Sequence, residues 1–327
     1  MNNKKWMALG IAAIILVISW FAPSIDNEED FIEKYGKSYN PFSSLLQDKA
    51  RIEEVIEGSD SENRIAVAEL TGTIMTNGVY GPGYTHEDFL ENLKDISEDE
   101  TIKGLLLVVN TPGGGVFESE EIRKELNNIQ ERMPIYVSMR NMAASGGYYI
   151  SAERNKIYAY DDTITGSIGV VYSGLDLEGL YNKFGIKQIE YTSGEQKRGK
   201  HEDEETQKIF QAFVDETFGR FFDIVAEGRD IDKAKLKKIA DGRIYTANQA
   251  VANGLVDEIG TQEEALEALI KETALTDPEV FHYVYPNTPS IPNLLTMSSK
   301  TELDDIKELL TNPKVTSPRA LYLYGGE

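Results

Sequence analysis

Residues 102–116 read Ile102-Lys103-Gly104-Leu105-Leu106-Leu107-Val108-Val109-Asn110-Thr111-Pro112-Gly113-Gly114-Gly115-Val116, an apolar run that stops at a proline and three glycines. A half-exposed strand would alternate apolar and polar residues; the unbroken run over 102–109 marks a strand covered on both faces, as in a parallel sheet. Helical spacing follows at once. Ile122, Leu126 and Ile129 predict a helix over about 117–132, and Pro134 opens another strand, Ile135 to Met139. Strand, glycine loop, helix and strand make the repeating unit of an α/β sheet.

The same texture extends in both directions. Upstream, Ile65 to Leu70 reads as a buried strand, the loop 76–85 holds four glycine or proline residues, and a helix over 86–98 puts Phe89, Leu90, Leu93 and Ile96 on one face. Downstream, the small residues of Asn141 to Ile150 lead into a helix. Short strands fit 156–160 and 168–173, followed by a helix near 177–184 and a strand near 187–191. A long amphipathic helix over 203–227 carries Ile209, Phe210, Phe213, Phe218, Phe221 and Val225, and further helices fit 231–239, 247–252 and 262–273. Residues 24–62 are polar and read as a stalk with some helix over 45–57; the tail from Thr276 is rich in proline and loosely patterned. The glycine and serine motifs occur once, so whatever they build is present in one copy.

At 327 residues with 41% apolar and 27% charged content, the chain can bury a large core and is neither disordered nor collagen-like. Its 55 acidic against 33 basic residues give a net charge of −22, which repels a phosphate backbone and argues against general nucleic-acid binding. The absence of cysteine excludes disulfides, thiol catalysis, Cys-ligated zinc and a lipid anchor on cysteine. Three histidines, His86, His201 and His282, leave little material for a metal site, so neither metal nor cofactor is expected.

Trp6 to Ala22 form an apolar run of 17 residues, broken only by Gly10 and Ser19 and preceded by Lys4 and Lys5. That length reaches the lower bound for a spanning helix. The exit, Ser19-Trp20-Phe21-Ala22-Pro23, lacks the small residues of a cleavage site, and the two tryptophans sit near the ends of the run as interfacial anchors do. An uncleaved anchor is expected, with the N-terminus cytoplasmic and everything after it beyond the membrane.

Two segments carry chemistry. Gly113 to Gly115 and Ser145 each follow a predicted buried strand, and ligands bind at the carboxyl ends of such strands. Glycines let backbone N–H groups approach a ligand, and a serine at a helix start is an exposed nucleophile, although each feature alone is commonly a turn or an N-cap. A serine needs a base. There is no Gly-x-Ser-x-Gly elbow, since position 143 is alanine, and no histidine is well placed. A lysine serves if its amine is neutral near pH 7 to 8, which requires a drop of ~2–3 units from about 10.4. Lys197, beside Arg198 and Lys200, is a candidate by composition, against the alternative of a surface lysine. Gly194-Glu195-Gln196-Lys197-Arg198-Gly199-Lys200-His201 imitates a phosphate loop, but His201 stands where magnesium needs Ser or Thr.

Taken together, the motifs resemble the signal peptide peptidase A family of serine–lysine peptidases, in the Clp protease/crotonase superfamily. The resemblance covers about 63–275. It rests on Asn110-Thr111-Pro112-Gly113-Gly114-Gly115-Val116, Met142-Ala143-Ala144-Ser145-Gly146-Gly147-Tyr148-Tyr149, Thr165-Gly166-Ser167-Ile168-Gly169-Val170, and Asp241-Gly242-Arg243-Ile244-Tyr245-Thr246 with Gly254-Leu255-Val256-Asp257. The resemblance implies an α/β fold of repeated β-β-α units, Ser145 as nucleophile, Lys197 as general base with Lys200 as fallback, the N–H groups of Gly114 and Gly146 as oxyanion hole, and Ser167 orienting the lysine. It also implies cleaved signal peptides as substrates and a ring of about eight copies, in which Lys197 of one protomer reaches Ser145 of the next.

The domain plan is then a cytoplasmic tip and anchor at 1–25, a stalk at 26–62, the peptidase domain at 63–275 and an extension at 276–327. Two alternatives compete: an acyl-CoA hydratase or isomerase on the same fold, using carboxylates, and a non-catalytic membrane scaffold. The terminal segment Ser317 to Gly326 alternates aliphatic and aromatic groups, and suits a short edge strand or disorder, or else an extended peptide entering the enzyme's own groove.

Overall fold

The computed structural model describes residues 51–76, 79–80, 84–174, 176–187, 189, 191–194, 197, 203–285 and 319–323. The expected anchor over 6–22 and the fallback Lys200 lie outside them. Among the described residues no helix is long and apolar enough to cross a membrane.

The first half of the chain forms β1 (Ile52–Glu57), β2 (Asp60–Thr71), β3 (Val79–Tyr80), β4 (Tyr84–Thr85), α1 (His86–Glu98), β5 (Ile102–Thr111), β6 (Gly113–Gly115), α2 (Val116–Gln130), β7 (Ile135–Ala144) and α3 (Gly146–Ser151). It continues with β8 (Lys156–Ala159), β9 (Ile164–Gly166), β10 (Val171–Ser173), α4 (Glu178–Lys183), α5 (Glu204–Gly228), α6 (Lys233–Leu236), β11 (Ile244–Thr246), α7 (Ala247–Asn253), β12 (Glu258–Ile259), α8 (Gln262–Thr273), β13 (Pro278–Val284) and β14 (Arg319–Leu323).

The main sheet runs β1-β13-β2-β5-β7-β8-β12, with β9 beside the end of β7 and β11 beyond β9. Pairing is parallel from β13 to β12 and antiparallel only for β1 with β13 and β11 with β9. Side chains alternate as a pleat requires. Ile65 and Val67 of β2 join Leu106 and Val108 of β5 under Ala265 and Leu269 of α8. Ala66, Ala68 and Leu70 turn to the opposite face, with Leu105, Leu107 and Val109, and meet Phe89, Leu93, Ile122 and Leu126 of α1 and α2. Helices therefore cover both faces, which is why 102–109 carries no polar alternation. The expected α/β class with a largely parallel sheet is what forms.

The departures have local causes. The described part of the expected helix over 45–57 is strand β1, in which β-branched Ile52 and Val55 pair with Val284 and Phe281 of β13. The start of the tail is accordingly a sheet strand rather than loose chain. Arg64 of β2 ties this corner together, donating from Nε to Glu279 at 2.9 Å and from Nη2 to Glu53 at 2.5 Å while its guanidinium lies 3.8 Å from the Phe281 ring centroid. Of the strand expected over 168–173 only Val171–Ser173 forms, as β10; the chain before it adds β9, which ends at Gly166 where Gly166 and Ser167 take φ of 82° and 51°. Of the expected strand 187–191, Lys187, Ile189 and Tyr191 are described and belong to no strand. The helix expected over 231–239 shortens to α6, which Asp232 caps by accepting from the N–H groups of Ala234 and Lys235.

Candidate active site

Three parallel strands end at one place. Thr111 of β5 lies opposite Ala143 of β7, and Ala144 lies opposite Gly166 of β9, so the chain after each strand emerges on the same side of the sheet. After β5 comes the glycine strand β6. Ile74 clamps it, donating its N–H to the Gly113 carbonyl at 2.9 Å and accepting from the Gly115 N–H at 2.7 Å. A Cβ on Gly114 would fall 1.8 Å from the Ile74 carbonyl oxygen, so no other residue fits there.

After β7 comes Ser145, with φ 54° and ψ −112° and only 1% of its surface exposed. Few L-residues adopt this conformation, and holding one there costs about 1–3 kcal/mol. Its N–H donates to the Gly166 carbonyl at 2.8 Å and its carbonyl accepts from the Tyr149 N–H at 2.8 Å, which fixes the bend at both ends. Gly146 is the first residue of α3, where a backbone N–H has no partner within the helix. It lies against the glycine strand: a Cβ on Gly113 would come within 2.7 Å of the Gly146 nitrogen.

After β9 comes Ser167, whose N–H donates to the Arg243 carbonyl at 2.8 Å. Gly242 donates its N–H to the Ile168 carbonyl at 3.0 Å. The Asp241-Gly242-Arg243 motif thus acts through its backbone, as the splint that seats Ser167.

Ser145 and Ser167 open into one cavity of about 430 Å³, walled by Ile168 and Val170 and by Val214 and Phe218 of α5. Asp215 and Asp241 supply its charged lining. The contribution of α5 was not singled out from the sequence, because its cavity residues belong to the same apolar stripe as its core residues. Lys197 is exposed, donates its backbone N–H to the Gly194 carbonyl at 3.1 Å, and does not line the cavity. The structure thus brings together Ser145, Ser167, Gly146 and the glycine strand holding Gly114, and leaves Lys197 apart within a single chain. His86 is buried with a ring nitrogen 3.1 Å from Glu121, and His282 pairs with Glu54; neither lines the cavity, and His201 is outside the described residues.

The end of the chain reaches the same place. Strand β14 lies between β6 and β10 and runs antiparallel to both. Tyr322 faces Gly114 and Leu323 faces Gly113. The Tyr322 ring is wholly buried, with centroids 4.7 Å from Tyr149 and 4.8 Å from Phe221, and its hydroxyl donates to the Thr217 carbonyl at 3.2 Å. Burial pushes its phenol well above the ordinary range, so it stays a neutral donor. Leu323 lines the cavity with Ser145. The described part of this segment, residues 319–323, is thus a strand paired on both sides, with its last residue at the cavity.

Known proteins are similar to this chain in sequence. The profile of Peptidase family S49 matches residues 127–276. The chain is 39% identical, over the full length of both, to an Enterococcus faecium protein bearing the name of signal peptide peptidase SppA. Over 92% of its length it is 30% identical to Protease 4 of Haemophilus influenzae, of which it spans 53%. Over 65% it is 30% identical to the chloroplastic serine protease SPPA of Arabidopsis thaliana, spanning 32% of that protein.

Proposed function

Because the chain belongs to the signal peptide peptidase A family, peptidase family S49, whose members are serine–lysine peptidases of the Clp protease/crotonase type, we propose that it is a membrane-anchored endopeptidase that degrades residual signal peptides. It is a serine protease by that membership; the anchor, the substrate and the residue roles are the proposal. Ser145 Oγ attacks the scissile carbonyl and gives its proton to the Lys197 amine. Negative charge developing on the carbonyl oxygen is met by the N–H groups of Gly114 and Gly146. The protonated lysine returns the proton to the leaving amine, and water releases the acyl group by the same route. Ser167 orients the lysine amine through its hydroxyl.

The observation that carries this reading is the strained, buried Ser145 set against a glycine strand at the head of a peptide-sized groove. The exposure of Lys197 fits a base delivered to a neighbouring protomer. Leu180 and Phe184, with Ile209, Phe210 and Phe213 of α5, leave apolar surface exposed, as an assembly interface would. A head-to-tail contact of that kind closes as a ring, here of about eight copies. The anchor over 6–22 would hold the ring where apolar signal peptides collect.

The deciding measurement is hydrolysis of a synthetic signal peptide by the full chain in detergent, beside Ser145→Ala and Lys197→Ala. Both variants should be inactive, and the native rate should climb from acid toward mildly alkaline pH along one apparent pKa, as an amine base requires. Full activity at pH 5, or turnover by Ser145→Ala, sinks the reading.

A further inference from the structure

Each oxyanion donor hangs at the head of a helix. Gly114 sits in the strand that runs directly into α2, and Gly146 is the first residue of α3. The spacing of their N–H groups therefore follows from how α2 and α3 sit against each other. Helix α3 has six residues, too few to hold its own geometry, so its contacts must hold it.

The second turn of α2 makes those contacts. Ser119 Oγ, buried and without a hydrogen-bond partner among the described residues, packs so close behind Gly146 that a Cβ there would lie 2.7 Å from it. One residue on, Glu120 accepts the Tyr149 hydroxyl proton at 2.6 Å. Arg123 braces Glu120 from the same helix face, at 2.8 Å from Nε and 3.1 Å from Nη2. Its Nη1 reaches Glu153, just past the end of α3, at 2.7 Å. Helix α3 is gripped near both ends.

The charges suit a permanent link. Burial alone would raise the Glu120 carboxyl, but hydrogen bonds from Arg123 and Tyr149 outweigh it and hold the group below its usual range. Burial, reinforced by the Glu120 carboxylate, pushes the Tyr149 phenol far above its usual value. The donor keeps its proton and the acceptor its charge over the whole pH span in which a lysine base would work. We propose that the Tyr149–Glu120 hydrogen bond is a strut that sets the separation of the Gly114 and Gly146 donors, so that Glu120 and Tyr149 are positioning residues for acyl transfer. This rests on the reading of those two N–H groups as the oxyanion hole.

The neighbouring tyrosine provides an internal control. Tyr148 is equally buried, but its hydroxyl donates to the Leu255 carbonyl at 2.9 Å, away from α2. Steady-state hydrolysis of the synthetic signal peptide and unfolding midpoints should be measured for Tyr149→Phe, Glu120→Ala, Glu120→Gln and Tyr148→Phe. Tyr149→Phe keeps the ring that packs on Tyr322 and removes the hydroxyl that forms the strut; its kcat should fall about tenfold or more, with KM within about threefold. Glu120→Ala should match it, and Glu120→Gln, which retains an acceptor oxygen, should recover most of the loss. Tyr148→Phe should lower the unfolding midpoint yet keep kcat within about twofold, because a lost buried hydrogen bond there touches stability alone. A Tyr149→Phe enzyme with native kcat, or a Tyr148→Phe enzyme equally impaired, overturns the strut. Ser145→Ala in the same series separates the two ideas: if it is inactive while Tyr149→Phe is not, only the strut fails.

Discussion

Ser145 and Ser167 stand one residue past the paired Ala144 and Gly166, and both take the left-handed φ, 54° and 51°. Two adjacent strands thus end in matching bends that turn two hydroxyl residues into one cavity. Residues opposite each other on adjacent strands share a face of the sheet, so the two bends carry both side chains off the strand ends together.

Strain at Ser145 is measurable. Ser145→Gly and Ser145→Ala should both lose activity by about a thousandfold or more. Glycine relieves a left-handed conformation that alanine keeps, and its extra flexibility offsets only part of that gain. Ser145→Gly should therefore be the more stable of the two by about 1 kcal/mol in urea unfolding. A glycine variant less stable than the alanine variant means the bend stores no strain.

Co-assembly tests the shared site. Ser145→Ala and Lys197→Ala chains are each expected to be inactive, yet mixed assemblies contain borders where an intact serine meets an intact lysine. A substantial fraction of native activity should return on mixing. Verified co-assembly with no activity would place serine and lysine in one chain.

Acid should loosen the corner around Arg64 and the α2–α3 grip together. Asp99 loses some solvation by burial, yet its hydrogen bonds with Thr101 and the nearby Arg64 hold its carboxyl below the usual 3.8, and Glu120 lies below its usual 4.5. A depressed folded pKa contributes stability that is complete above the unfolded pKa and is lost as pH falls through the folded one. Unfolding midpoints should be flat near neutrality and drop below about pH 4.5, less steeply in Glu120→Gln. An acid limb as steep in that variant as in the native chain would remove Glu120 from the account.

Removing the tail should uncover the groove. Deleting 317–327 takes away the strand between β6 and β10 and the ring packed on Tyr149 and Phe221. The deletion should raise kcat/KM for short peptides, and mass spectrometry should find a trimmed C-terminus in active enzyme but not in Ser145→Ala. An intact terminus in both, with no rate change on deletion, means the tail neither competes nor is cut.

What the sequence disclosed depended on how local the cause was. The run 102–109 and the glycines after it reveal a doubly covered strand and its end, because burial on both faces writes itself into consecutive residues. Ser145 was legible for the same reason. The Arg243 carbonyl that seats Ser167 was not, since any residue has a carbonyl and only the fold selects this one. Strand β1 was read as helix because Ile52-Glu53-Glu54-Val55-Ile56 satisfies helical spacing as well as strand propensity, and its partner β13 lies more than two hundred residues away. Lys197 shows the opposite limit: a motif finds it, but a single chain leaves it exposed.

The lane between β6 and β10 has a consequence for anything that would lie in it. Neighbouring strands sit about 4.8 Å apart, so the flanks stand roughly 10 Å from each other, with room for one extended backbone. An α-helix is about 10–12 Å across and spends its N–H and C=O groups on itself, so it neither fits nor pairs. A membrane peptide that arrives coiled must first unwind. The enzyme would then rank its substrates by the helical stability of the peptide as much as by side chain, and segments broken by glycine or proline would be consumed first.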